Sequence, residues 1–327
     1  MTNLKKIGLT ALAGSLVATT AFAGALSVSG GAKMSYVADT GNEDAGADGN
    51  RFGLQKAVSM SGSGELDNGH TVSLTHTFAT ESGLLSSTIL SYDMGDMGKL
   101  KYHEESAAMG IEIIDDLMPT ADEEIWNGLD TEGSNETPNG RVSHGNTGFN
   151  YTYSAMDGIQ VDVGYAPKTV STSNDDGSQS GTGGKRSSSS IAVQYTGIEG
   201  AKLFIGTGTA GGATSDTDLD TYGFTYAIGS ITVGVQHTEI DSSTASSDLE
   251  KDAMGISFAI NDNLSVSYGA SETEKEGDTD TQEMSGFSVG YSMGGITIKA
   301  HSNKGENLQQ EANNESEHTE IAVSFAF

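Results

Sequence analysis

Residues 149–165 carry the pattern that most limits what this chain can become. Phe149, Tyr151 and Tyr153 share one parity; after the turn MDG at 156–158, Ile159, Val161, Val163 and Tyr165 share another. A strand sends residues i, i+2 and i+4 to one face. Each segment is therefore a strand with one apolar face, and the connection is short enough for an antiparallel hairpin. The unit recurs in TYGFTYAIGSITVGVQH, in MGISFAINDNLSVSYGA and in FSVGYSMGGITIKA. The chain from residue 24 onward holds about sixteen such segments, mostly about 8–12 residues long. No later stretch is long and apolar enough to read as a spanning helix.

The connections alternate in length. The short ones are LDNG (66–69), DMGD (93–96), MDG, GIEG (197–200), IGS, NDN and GG. The long ones fall near 38–51, 81–85, 103–146, 167–189, 209–220, 240–252, 273–283 and 303–317. Antiparallel strands in that rhythm place all short turns at one rim and all long loops at the other.

The next question is which face is wet. Most acidic residues fall in or beside the long connections, and the apolar strand face carries almost none. Between the apolar positions sit Ser, Thr and Gly. In HTVSLTHTF, for example, Thr71, Ser73, Thr75 and Thr77 alternate with Val72, Leu74 and Phe78, and only His76 breaks the oily face. A histidine there suits a subunit contact better than lipid. Apolar outside and polar inside is the arrangement of a barrel in a membrane. Hydrocarbon leaves no backbone polar group unpaired, so a spanning sheet must close. Sixteen strands enclose an aqueous channel rather than a filled core. The mean hydropathy of −0.31 is consistent, because only alternate residues meet lipid. The expected fold is all-β: a transmembrane antiparallel β-barrel.

Composition narrows partners. The chain has 45 Asp+Glu against 16 Lys+Arg, a net charge of −29, which argues against nucleic acid or acidic lipid as a partner. There is no cysteine, which excludes disulfides and thiolate metal sites. Residues 1–23 read as a secretory signal. Lys5 and Lys6 begin it, IGLTALAGSLVA is its apolar middle, and AFA at 21–23 is its small-residue cleavage site. The remaining residues, 24–327, form a single barrel domain.

The chain ends on HTEIAVSFAF, with Ile321, Val323, Phe325 and Phe327 spaced two apart. This terminal strand, the AFA signal and the long/short alternation resemble Gram-negative general-diffusion porins. The stretch ILSYDMGDMGKLKYHEESAA (89–108) resembles the fourth-strand, turn and fifth-strand segment of the alphaproteobacterial type, though KYHEES lacks the glycine-bearing ending usual there. The resemblance implies homotrimers of sixteen-stranded barrels in the outer membrane, reached by Sec-type export. It implies a third long loop folded back into the lumen. It also implies that Ile321, Val323, Phe325 and Phe327 are the signal read by the outer-membrane assembly machinery.

Two sets of charged residues are candidates for a constriction. The loop 103–146 carries Glu112, Asp115, Asp116, Asp122, Glu123 and Glu124, together with the only tryptophan, Trp126. Within it, PTADEEIW reads as a helix start, with Thr120 as N-cap and Glu123 completing a capping box. Opposite this acidic face, Lys33, Lys99, Lys101, Lys202 and Lys299 occupy inward strand positions, and Arg141 lies just before the sixth strand. Such a pairing suits a transverse field across a water-filled channel for small hydrophilic solutes and ions, with a mild preference for cations.

Other motifs carry less. GTGTAGG (206–212) lacks the Lys-Ser/Thr ending of a phosphate loop. The histidines show no metal spacing. The acidic runs SDTDLD (215–220) and DTDTQE (278–283) offer oxygens for loose Ca²⁺ but no complete calcium loop, so no cofactor is expected. No nucleophile–base arrangement points to an enzyme. A substrate-selective channel, a surface adhesin or receptor barrel, and an outer-membrane hydrolase are the competing readings, and channel conductance separates the first from the other two.

Overall fold

The structure, a computed structural model, describes residues 26–41, 50–79, 85–104, 109–115, 117–129, 147–168, 172–173, 179–180, 184–243 and 247–327. The signal segment 1–23, Asp116 and Arg141 lie outside the described residues.

The strands are β1 (Ser27–Gly41), β2 (Phe52–Glu65), β3 (Thr71–Ala79), β4 (Leu85–Asp93), β5 (Lys99–Glu104), β6 (Thr147–Met156) and β7 (Ile159–Ala166). A small hairpin, β8 (Thr172–Ser173) and β9 (Gln179–Ser180), stands apart from the main sheet. Then come β10 (Ser188–Tyr195), β11 (Ala201–Gly211), β12 (Asp216–Ile228), β13 (Ile231–Ser242), β14 (Leu249–Asn261) and β15 (Leu264–Lys275). The last are β16 (Gln282–Met293), β17 (Ile296–Glu306) and β18 (Ser316–Ala326).

All but the small hairpin form one closed antiparallel barrel of sixteen strands. The seven expected short turns are all present as tight connections. Closure joins the two ends of the chain. Met34 pairs with Val323 and Tyr36 with Ile321, and Phe327 exchanges backbone hydrogen bonds with Gly30 at 2.8 and 2.9 Å.

Burial is inverted relative to a water-soluble sheet. Ile205 is 58% exposed and Phe287 50%, whereas Asn150 is 0%, Thr221 1% and Gln236 3%. The alternation sets this directly: the odd and even positions of one strand face two different solvents.

Two expectations need correction. The strands run further than the apolar pattern does. The expected long loop 209–220 is a four-residue connection, 212–215, and β1 reaches 15 residues. Beyond the apolar band the alternation continues in polar residues, because the ladder can extend into water once lipid ends. Asp218, Asp220, Glu239, Asp241, Glu250, Asp252, Glu272 and Glu274 therefore sit on strands, with the outward parity, and not in loops.

The expected helix after Thr120 does not form. Thr120 Oγ1 instead donates to the Glu123 carbonyl at 2.9 Å and accepts from the Asp122 N–H at 3.2 Å, closing a turn. The Ala121 N–H is taken by Ser267 and Ser288 of the wall, at 2.9 and 3.2 Å, which holds this turn against the barrel. The short helical turn lies earlier, at Gly110–Ile114.

Candidate functional site

The third long loop lies inside the barrel. Its described part, 109–115 and 117–129, follows the inner wall from β6 to β18. What lets it lie so close is a trail of inward-facing glycines. A Cβ at Gly164 would stand 2.8 Å from the Gly110 nitrogen, and one at Gly234 would stand 2.6 Å from Pro119 Cδ. Gly206 faces Ile111 and Ile114, Gly255 faces Pro119, and Gly269 and Gly286 face Ile125. Glycine on a strand often marks such a close approach of another backbone.

The first half of the loop is held mainly by apolar packing. Met109, Ile111 and Ile114 are each 0% exposed. Ile111 and Ile114 pack with Ala192, Phe204, Leu219, Ile240 and Leu249. Each fully buried side chain of this size contributes about 1.5–3 kcal/mol. The sequence carried a signal for this seat. Phe204 stands between outward Leu203 and Ile205, and a third consecutive apolar residue on an alternating strand has to face inward.

The second half is held by polar and charged groups. Asp122 Oδ2 receives His301 Nδ1 at 2.8 Å, and Lys299 Nζ lies 3.2 Å from its Oδ1. Burial opposes the Asp122 carboxylate, but the hydrogen bond from His301 and the charge and hydrogen bond of Lys299 outweigh it and hold the acid below its ordinary range. His301 stacks on His318, with ring centroids 5.2 Å apart, and His318 in turn meets Asp39. Lys33 lies 2.7 Å from Glu320 and 3.9 Å from Glu123. Asn303 Nδ2 donates to the carbonyls of Glu124 and Asn127, at 3.1 and 2.9 Å. A smaller apolar contact of Leu129, Met284 and Leu308, with Ile125 and Trp126 against it, ties this half to the last outer loop.

These contacts reassign several expected roles. Glu112 and Asp115 are buried, 5% and 8% exposed, rather than open to water. Asp122 is a tether. Glu123, with a side chain 37% exposed, is more open. Lys33, Lys99, Lys101, Lys202 and Lys299 all take the inward parity expected of them. Lys99 pairs with Asp93 at 2.8 Å. Parity alone did not single out Lys251, which is inward and 1% exposed, or the lumenal pair His301 and His318.

Under the loop, at the short-turn rim, lies a cavity of about 530 Å³. Its lining includes Lys99, Lys101, Asp96, Gln160 and Ile113. The inner faces of β2 and β3 add Ser59, Ser61, Ser63, Ser73, Thr75 and Thr77 by the same parity. The lumen therefore runs between a docked loop and a hydroxyl-lined wall.

A closed, outward-apolar barrel with a loop packed inside defines a channel protein. A family model, Gram-negative porin, matches residues 8–327. The chain belongs to the Gram-negative porin family and is an outer-membrane channel protein. Its fold is similar to that of the anion-selective porin from Comamonas acidovorans, with a TM-score of 0.66 at 12% identity over 93% of this chain and 99% of that one. It is also similar to a mutant of Rhodobacter blastica porin, with a TM-score of 0.63 at 15% identity over 93% and 100%. A third likeness is to OmpT in trimer form, an outer membrane protein of Vibrio cholerae, with a TM-score of 0.64 at 13% identity over 93% and 100%. No curated protein matches by sequence.

Proposed function

We propose that the protein is a passive diffusion channel for small hydrophilic solutes and ions, assembled as a homotrimer and mildly selective for cations. The observation that carries this reading is the loop, described over 109–115 and 117–129, docked along the inner wall of a wide barrel and narrowing its lumen. The hydroxyl-lined inner faces of β2 and β3 favour unspecific passage of hydrated solutes. The trimer form of a structural relative supports the assembly, and outward His76, bonded to Thr88 at 2.9 Å, marks a polar spot that a subunit contact would cover.

Cation preference follows from the net charge of −29 and from the outward carboxylates at the long-loop rim. Charges at a rim act over about 8 Å at physiological salt, so the preference fades as salt is added. Near the constriction, Glu123 and Glu124 form the acidic side, with the more buried Glu112, Asp115 and Asp122 beside them. Lys99, Lys101 and Lys202 form the basic side, whereas Lys33 and Lys299 lie against Glu123 and Asp122 and temper the acidic one. A field focused between low-dielectric walls orients polar solutes. The test is the reversal potential of the purified protein in a salt gradient. A cation-side potential that shrinks with added salt is expected. An anion-side potential would give the lysines the upper hand, and no conductance would end the channel reading.

The closing strand also suits recognition during assembly, because Ile321, Phe325 and Phe327 stay exposed on the outside at 50%, 45% and 78%. Phe327→Ser should lower the membrane yield while leaving the conductance of inserted channels unchanged. A normal yield would remove Phe327 from that role.

A further inference from the structure

Asp162 on β7 is a carboxylate with 0% exposure. Buried charge is tolerated only where donors satisfy it. Three side chains do so here. Thr152 Oγ1 donates to Oδ1 at 2.5 Å, Asn150 Nδ2 donates to the same oxygen at 3.2 Å, and Gln160 Nε2 donates to Oδ2 at 2.7 Å.

The consequence lies one residue further on. The Asp162 oxygen accepts from Asn150 Nδ2, so the NH₂ end of the amide is turned toward it. That leaves Asn150 Oδ1 facing the other way, where it receives the backbone N–H of Gly110 at 2.8 Å. Thr152 reinforces the choice by accepting from Asn150 Nδ2 at 3.0 Å. The next N–H, of Ile111, ends on Ser190 Oγ at 3.0 Å. Gly110 and Ile111 open the helical turn of the inward loop, and the first N–H groups of such a turn have no partner within it. The wall supplies both partners. Gly110 has φ +57°, and a Cβ there would stand within 3.0 Å of Ser190 and Gly164, so the backbone has little room to find another acceptor.

We propose that Asp162 is the positioning residue of the channel. By orienting the Asn150 amide it holds the first turn of the inward loop against the wall, and so sets the width of the pore. This rests on the diffusion-channel reading above, so its test needs one readout that does not depend on conduction.

The chain has no cysteine, and Met109, beside the anchored turn, is fully buried. In the purified full-length barrel, Met109→Cys should react slowly with a water-soluble thiol reagent. Adding Asp162→Ala should make the reaction fast. In single-channel records Asp162→Ala should raise the unit conductance and replace one steady level with fluctuating ones. Because Asp162 acts through Asn150, Asn150→Ala should have the same effect, and the double variant should add nothing further. Asp162→Asn keeps the volume and one acceptor; it should show the same changes to a smaller degree and serves if Asp162→Ala does not fold. Unchanged labelling and conductance in the folded variants would overturn the proposal, as would additive effects of the two substitutions. If labelling rises as expected but the parent protein passes no current, the anchor stands and the channel reading falls.

Discussion

The two halves of the inward loop are docked on one wall by different physics. Residues 109–115 rest on buried isoleucines and on neutral hydrogen-bond acceptors, Asn150 and Ser190. Residues 117–129 rest on Asp122, held by His301 and Lys299, and on Glu123 near Lys33. Apolar burial is indifferent to salt and pH, whereas ion pairs answer to both. A loop built this way has one end held mainly by packing and one end whose hold depends more directly on the solution.

The largest break should come at the first half. Ile111→Ala and Ile114→Ala each remove a buried side chain, at a cost of about 2–5 kcal/mol to the docked loop. The barrel ladder is untouched, so the variants should still fold and insert. Their unit conductance and solute size limit should rise together in planar bilayers. Unchanged values in both would show that apolar packing does not hold this end.

A smaller break should come at the second half. Asp122→Asn weakens two charge-assisted contacts, and a hydrogen bond to a charged group contributes about 1.5–3 kcal/mol. The pH dependence has a definite sign. The carboxyl of Asp122 is held below its ordinary range, so its contribution is complete above about pH 4 and is lost as pH falls through its lower value in the docked state. Conductance measured from neutral pH downward should therefore change at acid pH in the parent protein, and that step should be missing in Asp122→Asn. The same acid step in the variant would assign it to another group. Both variants together sharpen the contrast: the isoleucine changes should be pH-independent and the Asp122 change should not.

Much of this molecule is legible in its sequence, and the boundary has a physical basis. Strand parity located Lys33, Lys99, Lys101, Lys202 and Lys299 on the inner wall, because a period of two leaves only two directions for a side chain. It located all seven short turns, where Gly and Asn punctuate the alternation. Parity also misled in one place. The region 209–220 reads as a loop because its residues turn polar, yet the ladder continues there, since hydrogen bonding between strands does not require lipid on one face. The loop 103–146 had no period to read, so a capping pattern at Thr120 suggested a helix where Thr120 instead closes a turn held on the wall.

The strand number of the barrel, its closure, its two rims and the face that meets lipid are all legible along the chain. All of these follow from local alternation and connection length. The tertiary structure alone decided what the inward loop touches. Asp122 meets His301 and Ala121 meets Ser288 across 179 and 167 residues of chain. The seat of Ile111 and Ile114 is assembled from five barrel strands, and the trail of glycines beneath the loop belongs to strands whose glycines look interchangeable in the sequence. Contacts between segments so far apart carry no local periodicity. They exist only once closure of the sheet has set the distance from wall to wall.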